Sequence, residues 1–225
     1  MGSFYKMTNQ ERLIAEYDSW NRTFQWWTTY RYSIINYLIQ RFHYKTYLEI
    51  GIANGECFNN INIQYKDGVD PVSSIFTKFT MTSDEFFKQL DTHKKYDIIF
   101  IDGLHHDYQV YTDIINSLNH LSDNGMILCH DMNPPVEICQ EKDMRVGYWN
   151  GDCWKAFAQL RSEQSDLEMY TIDTDWGIGI IQRGKQALIN IPEKLDYQYL
   201  EQNRTHILNL ISMDDFYNKF KPDQL

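Results

Sequence analysis

The sequence predicts an α/β protein built on a doubly wound, mostly parallel sheet. Strand patterns and helix patterns alternate along most of the 225 residues, which is typical of parallel strands joined by helices. Two of the strand patterns are nearly continuous apolar runs, as expected of strands that are buried on both faces. Together these observations predict a Rossmann-like sheet of seven strands with helices on both faces and extra N-terminal helices.

The seven strands are predicted from short apolar runs bounded by turn residues. They are expected over 45–50, 68–70, 78–82, 96–102, 126–129, 167–172 and 177–182. Helices are expected over 55–63, 107–121 and 152–161, after Ser83 as an N-cap, and in the C-terminal tail. The turn-forming residues 122–125 are expected to separate the helix over 107–121 from the strand that follows.

The first 45 residues show a helical rather than a strand pattern. Ile34, Ile35, Leu38 and Ile39 recur at helical spacing, which indicates a helix with one apolar face. We therefore predict a helical N-terminal extension or lid over 1–45 and a main domain with a helical tail over 46–225. The chain has no linker rich in Gly, Pro or Ser, so the two parts are expected to form a single structural domain.

Composition narrows the class of protein. A formal net charge of -10 disfavours nucleic acid as the main partner, because phosphate binding requires clustered Lys and Arg. No stretch approaches the roughly 18 apolar residues of a membrane span, and no signal peptide is evident. The four cysteines lack metal-binding spacing, which favours reduced thiols in a cytoplasmic protein. The aromatic share of 15% suits a site that packs flat ligand faces such as sugars.

Four features fall at the carboxyl ends of predicted parallel strands. They are Glu49-x-Gly51, Asp70, Asp102 and His130-Asp131. Ligands of open α/β sheets bind at this edge. The joint placement therefore predicts a site for a ligand that carries a ribose and an adenine.

The glycine turn indicates which nucleotide-type ligand is expected. A dinucleotide site requires G-x-G-x-x-G against a helix N-terminus, whereas this chain has Gly51-x-x-x-Gly55. Glu49 would also place a negative charge close to a pyrophosphate. S-adenosylmethionine has no phosphate and carries a sulfonium and an ammonium, which a carboxylate attracts. The turn therefore favours S-adenosylmethionine over a dinucleotide.

Seven motifs occur in order between Tyr47 and Ile181. They are Glu49-Ile-Gly51-x-x-x-Gly55, Val69-Asp70-Pro71, Thr82-Ser83-Asp84-Glu85-Phe86-Phe87, Ile101-Asp102-Gly103-Leu104-His105, Asn124-Gly125 followed by His130-Asp131, Gly151-Asp152-x-Trp154-Lys155 and Thr174-Asp175-Trp176-Gly177. This ordered set resembles the class I methyltransferases. More narrowly, it is similar to the macrocin O-methyltransferase group of sugar and small-molecule O-methyltransferases.

The resemblance implies a set of cofactor-binding residues. Glu49 and Gly51 would contact the methionine part, and Asp70 would accept hydrogen bonds from the ribose hydroxyls. Ser83 and Asp84 would lie near the adenine, with Phe86 in the core. Ala53 replaces the middle glycine of the commoner Gly-x-Gly-x-Gly turn, and alanine still allows close backbone approach. The full cofactor-binding set is Glu49, Gly51, Ala53, Gly55, Asp70, Ser83, Asp84 and Asp102.

The resemblance also implies where a metal would bind. Asp102 and Asp131 occupy strand ends at which metal-dependent relatives place carboxylates that bind Mg²⁺, and oxygen donors suit such a hard cation. Met132 stands where the catechol-type relatives have an Asn ligand. Either Asn133 substitutes for that ligand or the metal is absent, and the sequence leaves both alternatives open.

The catalytic and acceptor residues are predicted around the same edge. A sugar hydroxyl needs a base or a metal to act as a nucleophile, and either His105 or His130 could be the base or a ligand. His106 is predicted at most to contact the acceptor. Trp149, Trp154 and Lys155 are predicted to line the acceptor pocket, with a core position as the equal alternative for Trp154. The aromatic run Trp26-Trp27-x-x-Tyr30-x-Tyr32 is predicted either to cover the site or to form a dimer face.

These observations predict an S-adenosylmethionine-dependent O-methyltransferase that acts on a sugar, a glycan or a sugar-containing small molecule, with or without Mg²⁺. Two alternatives stay open. One is a Rossmann-type oxidoreductase or a hydroxylase on the same scaffold, of which the first is disfavoured by the missing G-x-G-x-x-G. The other is a cofactor-binding but catalytically silent partner subunit, which would have no need of both Asp102 and Asp131.

Overall fold

The computed structural model describes residues 7–25 and 29–221. Its helices are α1 (Asn9–Thr23), α2 (Arg31–Phe42), α3 (Glu56–Asn60), α4 (Ser83–Gln89), α5 (Asp107–Asn119), α6 (Cys153–Glu163), α7 (Tyr197–Leu208) and α8 (Met213–Lys219), with a 3₁₀ turn at Glu137–Gln140. Its strands are β1 (Thr46–Ile50), β2 (Tyr65–Asp70), β3 (Phe79–Thr80), β4 (Tyr96–Ile101), β5 (Leu121–Cys129), β6 (Leu167–Ile172), β7 (Ile178–Arg183) and β8 (Leu210–Ile211). Strands and helices alternate through the middle of the chain, as predicted.

The strands form one sheet in the order β3-β2-β1-β4-β5-β7-β6-β8. Strand β7 is antiparallel to both of its neighbours, and the other adjacent pairs are parallel. This confirms the Rossmann-like, mostly parallel arrangement. The predicted count of seven strands is wrong, because the sheet has eight. The additional strand, β8, has two residues and is therefore too short to show a strand pattern in a tail that otherwise reads as helical.

The strand order places a crevice at the carboxyl ends of β1 and β4. The chain runs outward from β1 to β2 and β3, and it then returns to β4 on the opposite side of β1. Ligands of open α/β sheets bind at such a reversal of strand order. The residues that end β1, β2, β4 and β5 therefore lie along one edge around this crevice.

Burial on both faces explains why β4 is almost wholly apolar. Ile99 and Ile101 pack into the core on one face of the sheet. Ile98 and Phe100 pack into a second core on the other face. Because successive side chains of a strand point to opposite faces, a strand covered on both sides loses the alternation of apolar and polar residues.

The N-terminal helices pack on the sheet and on the loop that follows β5. Helix α2 buries Ile34, Ile35 and Leu38 in the second core. Helix α1 contacts the 3₁₀ turn through its buried residues Leu13 and Tyr17. The first 45 residues are therefore helical over 9–23 and 31–42, while their division from 46–225 stays a prediction. Trp26 and Trp27 of the aromatic run lie outside the described residues.

Two local predictions differ from the structure. Thr82, not Ser83, is the N-cap of α4, because its side chain accepts from the amide of Glu85 and Glu85 reaches back to the Thr82 amide. Residues 122–125 do not end a helix before a strand but lie within β5. They form an irregularity of the strand pairing, since Leu121 pairs with Tyr96 of β4 and the regular register resumes only at Met126, opposite Ile98.

The four cysteines Cys57, Cys129, Cys139 and Cys153 are free thiols, as predicted. None of the described helices combines the length and apolar character needed to cross a membrane.

Candidate active site

The turn after β1 brings its backbone against the end of β4. Gly51 has a φ of +86°, and its amide donates to the carbonyl of Val69 at 2.9 Å. A Cβ atom at this position would collide with the carbonyl oxygen of Asp102. Glycine is therefore required here both by the backbone conformation and by the lack of space.

Asp70 shapes the same turn from the end of β2. Its Oδ2 atom accepts from the amides of Ile52 at 2.8 Å and Ala53 at 3.2 Å, and Oδ1 accepts from Val72 at 2.7 Å. A carboxylate offers about four lone-pair sites, so these three hydrogen bonds leave capacity for a ligand. Asp70 thus fixes the turn and lines the cavity above it.

A cavity of about 740 Å³ opens at this edge of the sheet. It is lined by ten of the predicted site residues: Gly51, Ala53, Asp70, Ser83, Asp84, Asp102, His105, His130, Asp131 and Trp149. Gly55 does not line it and instead precedes α3 with its backbone against the ring of Phe76. The predicted site residues are therefore largely brought together around one cavity.

Glu49 lines a second, adjacent cavity of about 520 Å³. Its side chain is buried and accepts a hydrogen bond from the hydroxyl of Tyr47. Burial raises the pKa of Glu49 to about 8. A ligand ammonium beside Glu49 would favour the ionised form of its carboxyl. The position of Glu49 is thus compatible with the predicted contact to the methionine part of the cofactor.

Asp102, His105 and Asp131 converge at the ends of β4 and β5. His105 Nε2 lies 3.3 Å from Asp102 Oδ1 and 3.4 Å from Asp131 Oδ2. One ligand atom from each of the three residues lies within 4.8 Å of the others. Asn150 Nδ2 donates to Asp131 Oδ1 at 2.9 Å and holds that carboxylate in place.

His130 lies behind this cluster and is almost fully buried. Its Nδ1 atom is 2.8 Å from Asp131 Oδ2 and 3.2 Å from Asp102 Oδ1. Burial alone would lower the pKa of His130, but the negative charges of Asp131 and Asp102 raise it well above its usual range. In turn, although burial opposes its charge, the positive charge of His130 holds the pKa of Asp102 well below its usual range. The two carboxylates therefore favour the protonated form of His130.

Arg31 and Asp175 complete the cluster, and neither was predicted. Arg31 donates through Nε and Nη2 to Asp175 at 2.9 and 3.1 Å, and through Nη1 to Asp102 Oδ2 at 2.8 Å. Asp175 follows β6, whose carboxyl end lies at the same edge of the sheet. An acid just after a buried strand was the signal for Asp175. Arg31 had no comparable signal, because it reaches the site from the first turn of α2.

The three converging side chains suit a divalent cation. Carboxylates are common ligands of Mg²⁺ and Mn²⁺, whereas an imidazole is more typical of transition metals such as Zn²⁺ and Fe²⁺. Met132 is buried in the core and supplies no oxygen. Asn133 cannot substitute for the missing Asn ligand in this arrangement, because its side chain binds Asp173 and Arg204. The residues that fit a cation are thus Asp102 and Asp131, with His105 as the nearest third donor.

Gln109 organises the end of the cavity at which the adenine is expected. Its amide nitrogen lies 3.2 Å from Ser83 Oγ and 3.1 Å from carboxylate oxygens of both Asp84 and Asp113. Burial raises the pKa of Asp113 to about 6. Gln109 lines the cavity with Ser83 and Asp84, and nothing in the residue pattern of α5 distinguishes it as a site residue.

The opposite end of the cavity is aromatic. Trp149 stacks on His105 with ring centroids 4.9 Å apart and an interplanar angle of 22°. Tyr148 stacks on Trp176 at 5.1 Å. We call Tyr148, Trp149 and Trp176 the aromatic wall. It could pack against the flat face of an acceptor ring next to His105.

Three predicted acceptor residues do not line the cavity. Trp154 is fully buried in a separate core cluster, and its Nε1 donates to Gln140, which agrees with the core alternative. Lys155 binds the buried carboxylate of Asp152 at 3.3 Å. The ring of His106 lies against Tyr108. Spacing on α6 could not separate Trp154 and Lys155 from the pocket, because the orientation of α6 turns Trp154 towards α7.

The two tryptophans provide a matched test of the acceptor side. Replacing Trp149 by Ala is expected to raise the KM for the acceptor about tenfold, because the stacked face is lost. Replacing Trp154 by Phe is expected to leave that KM unchanged and to lower the free energy of unfolding by about 1 kcal/mol, through the lost hydrogen bond to Gln140. Steady-state kinetics and denaturant unfolding measure the two effects. An increase in KM for the Trp154 variant alone would contradict the assignment.

Residues 53–132 match the family model described as a methyltransferase domain. The matched segment runs from the turn after β1, through Asp70 and Asp102, to the end of β5 and Asp131. It therefore includes much of the cavity described above. No curated protein matches the chain.

Solved structures share the fold. The SAH-bound methyltransferase PaMTH1 from Podospora anserina matches with a TM-score of 0.51 and 15% identity, over 82% of this chain and 100% of that one. The O-methyltransferase from Bacillus cereus in complex with SAH matches with a TM-score of 0.51 and 12% identity, over 79% of this chain and 90% of that one. TomG, the O-methyltransferase from Streptomyces achromogenes in complex with SAM, matches with a TM-score of 0.51 and 11% identity, over 79% of this chain and 100% of that one. The protein therefore shares the fold of these SAH- and SAM-bound methyltransferase structures, and its residues 53–132 match a methyltransferase-domain model.

Proposed function

We propose that the protein is an S-adenosylmethionine-dependent O-methyltransferase that methylates a hydroxyl of a sugar, a glycan or a sugar-containing small molecule. The observation that carries this proposal is the convergence of Asp102, His105 and Asp131 beside the cavity that Asp70 lines. A nucleotide-type ligand and a hydroxyl acceptor can then meet at one place. The family model and the shared fold support methyl transfer, and none of the comparisons favours the oxidoreductase, hydroxylase or silent-subunit alternatives.

The cofactor is proposed to lie across the carboxyl edge of the sheet. Ser83 and Asp84 would hold the adenine, Asp70 would accept from the ribose, and Glu49 would face the ammonium of the methionine part. Glu49 and Asp70 end neighbouring strands on either side of the Gly51 turn. This order of contacts supports a cofactor that spans both cavities.

Asp102 and Asp131 are proposed to hold Mg²⁺. A divalent cation at these carboxylates would supply Lewis-acid polarisation of the acceptor hydroxyl and lower its pKa. Asn150 holds Asp131 Oδ1, and His130 holds Oδ2, the oxygen that also lies 3.4 Å from His105 Nε2. Asp131 is thereby fixed before an acceptor arrives, as Asp102 is by Arg31, which favours in-line alignment of the acceptor oxygen with the methyl group.

His105 is proposed to take the proton of the acceptor. The acceptor oxygen forms a bond to the methyl carbon, the bond from that carbon to sulfur breaks, and S-adenosylhomocysteine leaves. The hydroxyl proton moves to His105 Nε2, where Asp102 and Asp131 stabilise the new N–H. Although burial works against it, the Asp131 charge and the hydrogen bond to Asp102 raise the pKa of His105, which favours this proton transfer.

Cofactor binding and methyl transfer test the proposal together. We expect isothermal titration to show binding of S-adenosylhomocysteine in the micromolar range. We also expect transfer of a labelled methyl group from S-adenosylmethionine to neutral sugar acceptors, with less transfer after chelation of divalent cations. A folded protein that shows no binding at high micromolar cofactor would exclude the proposed function.

A pair of histidine variants provides the control. The substitution His105→Gln is expected to lower turnover by about 10²- to 10⁴-fold, the usual contribution of a general base. His93 is exposed and lies outside both cavities, so His93→Gln should leave turnover unchanged. Equal turnover in the two variants would remove His105 from the proposed reaction.

A further inference from the structure

Arg31 lies between the two cavities. It lines both of them, together with Gly51, Ala53, Asp102 and Trp176. A ligand that extends from Asp70 past the Gly51 turn to Glu49 therefore passes the Arg31 side chain. Arg31 is the residue of α2 that lines both cavities, and the contacts described so far assign its side chain only to the two carboxylates that hold it.

The second cavity is strongly acidic apart from Arg31. Glu49, Glu56, Asp102 and Asp175 line it. Among the described residues that line this cavity, Arg31 is the sole side chain with a fixed positive charge. Arg31 is therefore the side chain of this cavity that can attract an anionic group, whereas ionised carboxylates disfavour one.

The proposed cofactor carries such an anionic group. Its methionine part ends in an ammonium and a carboxylate on the same carbon. Glu49 suits the ammonium, whereas the carboxylate needs a cation or backbone amides. We infer that Arg31 binds the methionine carboxylate of the cofactor and thereby selects for a full amino-acid tail. This inference rests on the proposed function and extends it to a residue on the N-terminal helix.

The guanidinium is held in a way that leaves a donor for a ligand. It has five N–H groups, of which Nε, one on Nη1 and one on Nη2 point to Asp175 and Asp102. Among the described residues, no acceptor takes the second hydrogen of Nη2. The Arg31 backbone amide also donates to Asp175 Oδ2 at 2.8 Å. The fork is thus fixed before the ligand binds, so little side-chain entropy is lost on binding.

Two ligands that differ only in the carboxylate provide the test. One is S-adenosylhomocysteine, and the other is 5′-deoxy-5′-(3-aminopropylthio)adenosine, which keeps the ammonium and lacks the carboxylate. The wild-type protein should bind the first about 10- to 100-fold more tightly, as expected of a charge-assisted hydrogen bond. In Arg31→Gln the preference should fall to about twofold or less, because only affinity for the carboxylate-bearing ligand is lost. Isothermal titration measures all four affinities.

Two further variants separate binding from folding. Arg31→Lys keeps a positive charge in case Arg31→Gln does not fold, and it should retain part of the preference. Arg12 is an exposed arginine on α1 that pairs with Glu16 and Glu137, so Arg12→Gln should keep the full preference. The comparison of the two ligands in the wild type requires no substitution at all.

The possible results point to different conclusions. Equal wild-type affinity for the two ligands would overturn the inference. If the Arg31 variants lost affinity equally for both ligands, the inference would also be overturned. The role of Arg31 would then be limited to holding Asp102 and Asp175. A folded wild-type protein that binds neither ligand would instead contradict the proposed function.

Discussion

The substitution Asp131→Asn should lower turnover about 10³-fold while S-adenosylhomocysteine affinity stays within about twofold. Asp131 contributes a carboxylate to both of the proposed catalytic tasks, holding the cation and stabilising the proton on His105. Its Oδ2 atom lies 3.4 Å from His105 Nε2. Loss of a group that assists proton transfer costs about 10²- to 10⁴-fold. Single-turnover methyl transfer and titration with S-adenosylhomocysteine measure the two quantities.

Asparagine is the suitable replacement because it preserves the fold. Asp131 has a φ of +65°, a conformation that Asn tolerates better than most residues. Asp173 provides the control, because its carboxylate is exposed and binds Asn133 outside the cavity. Asp173→Asn should retain wild-type turnover. Unchanged turnover in Asp131→Asn would show that the carboxylate at the end of β5 takes no part in the reaction.

The sheet was predictable because its strands are short apolar runs with acids at their ends. β4 is buried on both faces, so its sequence is apolar from Ile98 to Ile101 and ends abruptly at Asp102. The same reasoning placed Asp70 and Asp131 at the cavity. Parallel pairing brings these ends to one edge, and a local pattern therefore predicts residues that are distant in sequence but close in space.

Arg31 could not be predicted in this way. It contacts Asp102 across 71 positions and Asp175 across 144 positions of sequence. Those contacts depend on how α2 packs on the sheet, and neither helical spacing nor strand alternation encodes that packing. A charged residue at the start of an amphipathic helix reads simply as solvent-exposed.

The residue pattern could not distinguish Trp149 from Trp154 as an acceptor residue, for a related reason. Trp149 and Trp154 are five residues apart, and both are large aromatic residues near a predicted helix start. Trp149 precedes α6 and stacks on His105, whereas Trp154 lies inside α6 and faces the core. The choice between them depends on the rotation of α6 about its axis, which is set by contacts with α7 rather than by the local sequence.

Replacing Asp70 by Ala should weaken the binding of S-adenosylhomocysteine at least about 100-fold. Two effects combine in this variant. The ribose loses a charged acceptor, and the amides of Ile52, Ala53 and Val72 lose theirs. Hydrogen bonds to a charged group contribute about 1.5–3 kcal/mol each. Since the Ile52 and Ala53 amides belong to the turn over which the cofactor would lie, the backbone surface that meets the ligand is disturbed as well.

Asp67 makes it possible to separate affinity from stability. It lies on the same strand, is similarly buried at 8% against 9% for Asp70, and binds Lys78 and Tyr96 away from the cavity. Asp67→Asn should lower the free energy of unfolding by about 1–3 kcal/mol without changing the affinity for S-adenosylhomocysteine. Asp70→Asn, which keeps one acceptor oxygen, should fall between the wild type and Asp70→Ala in affinity. If Asp67→Asn and Asp70→Ala weakened binding equally, the loss would report general destabilisation, and Asp70 would have no specific role towards the ribose.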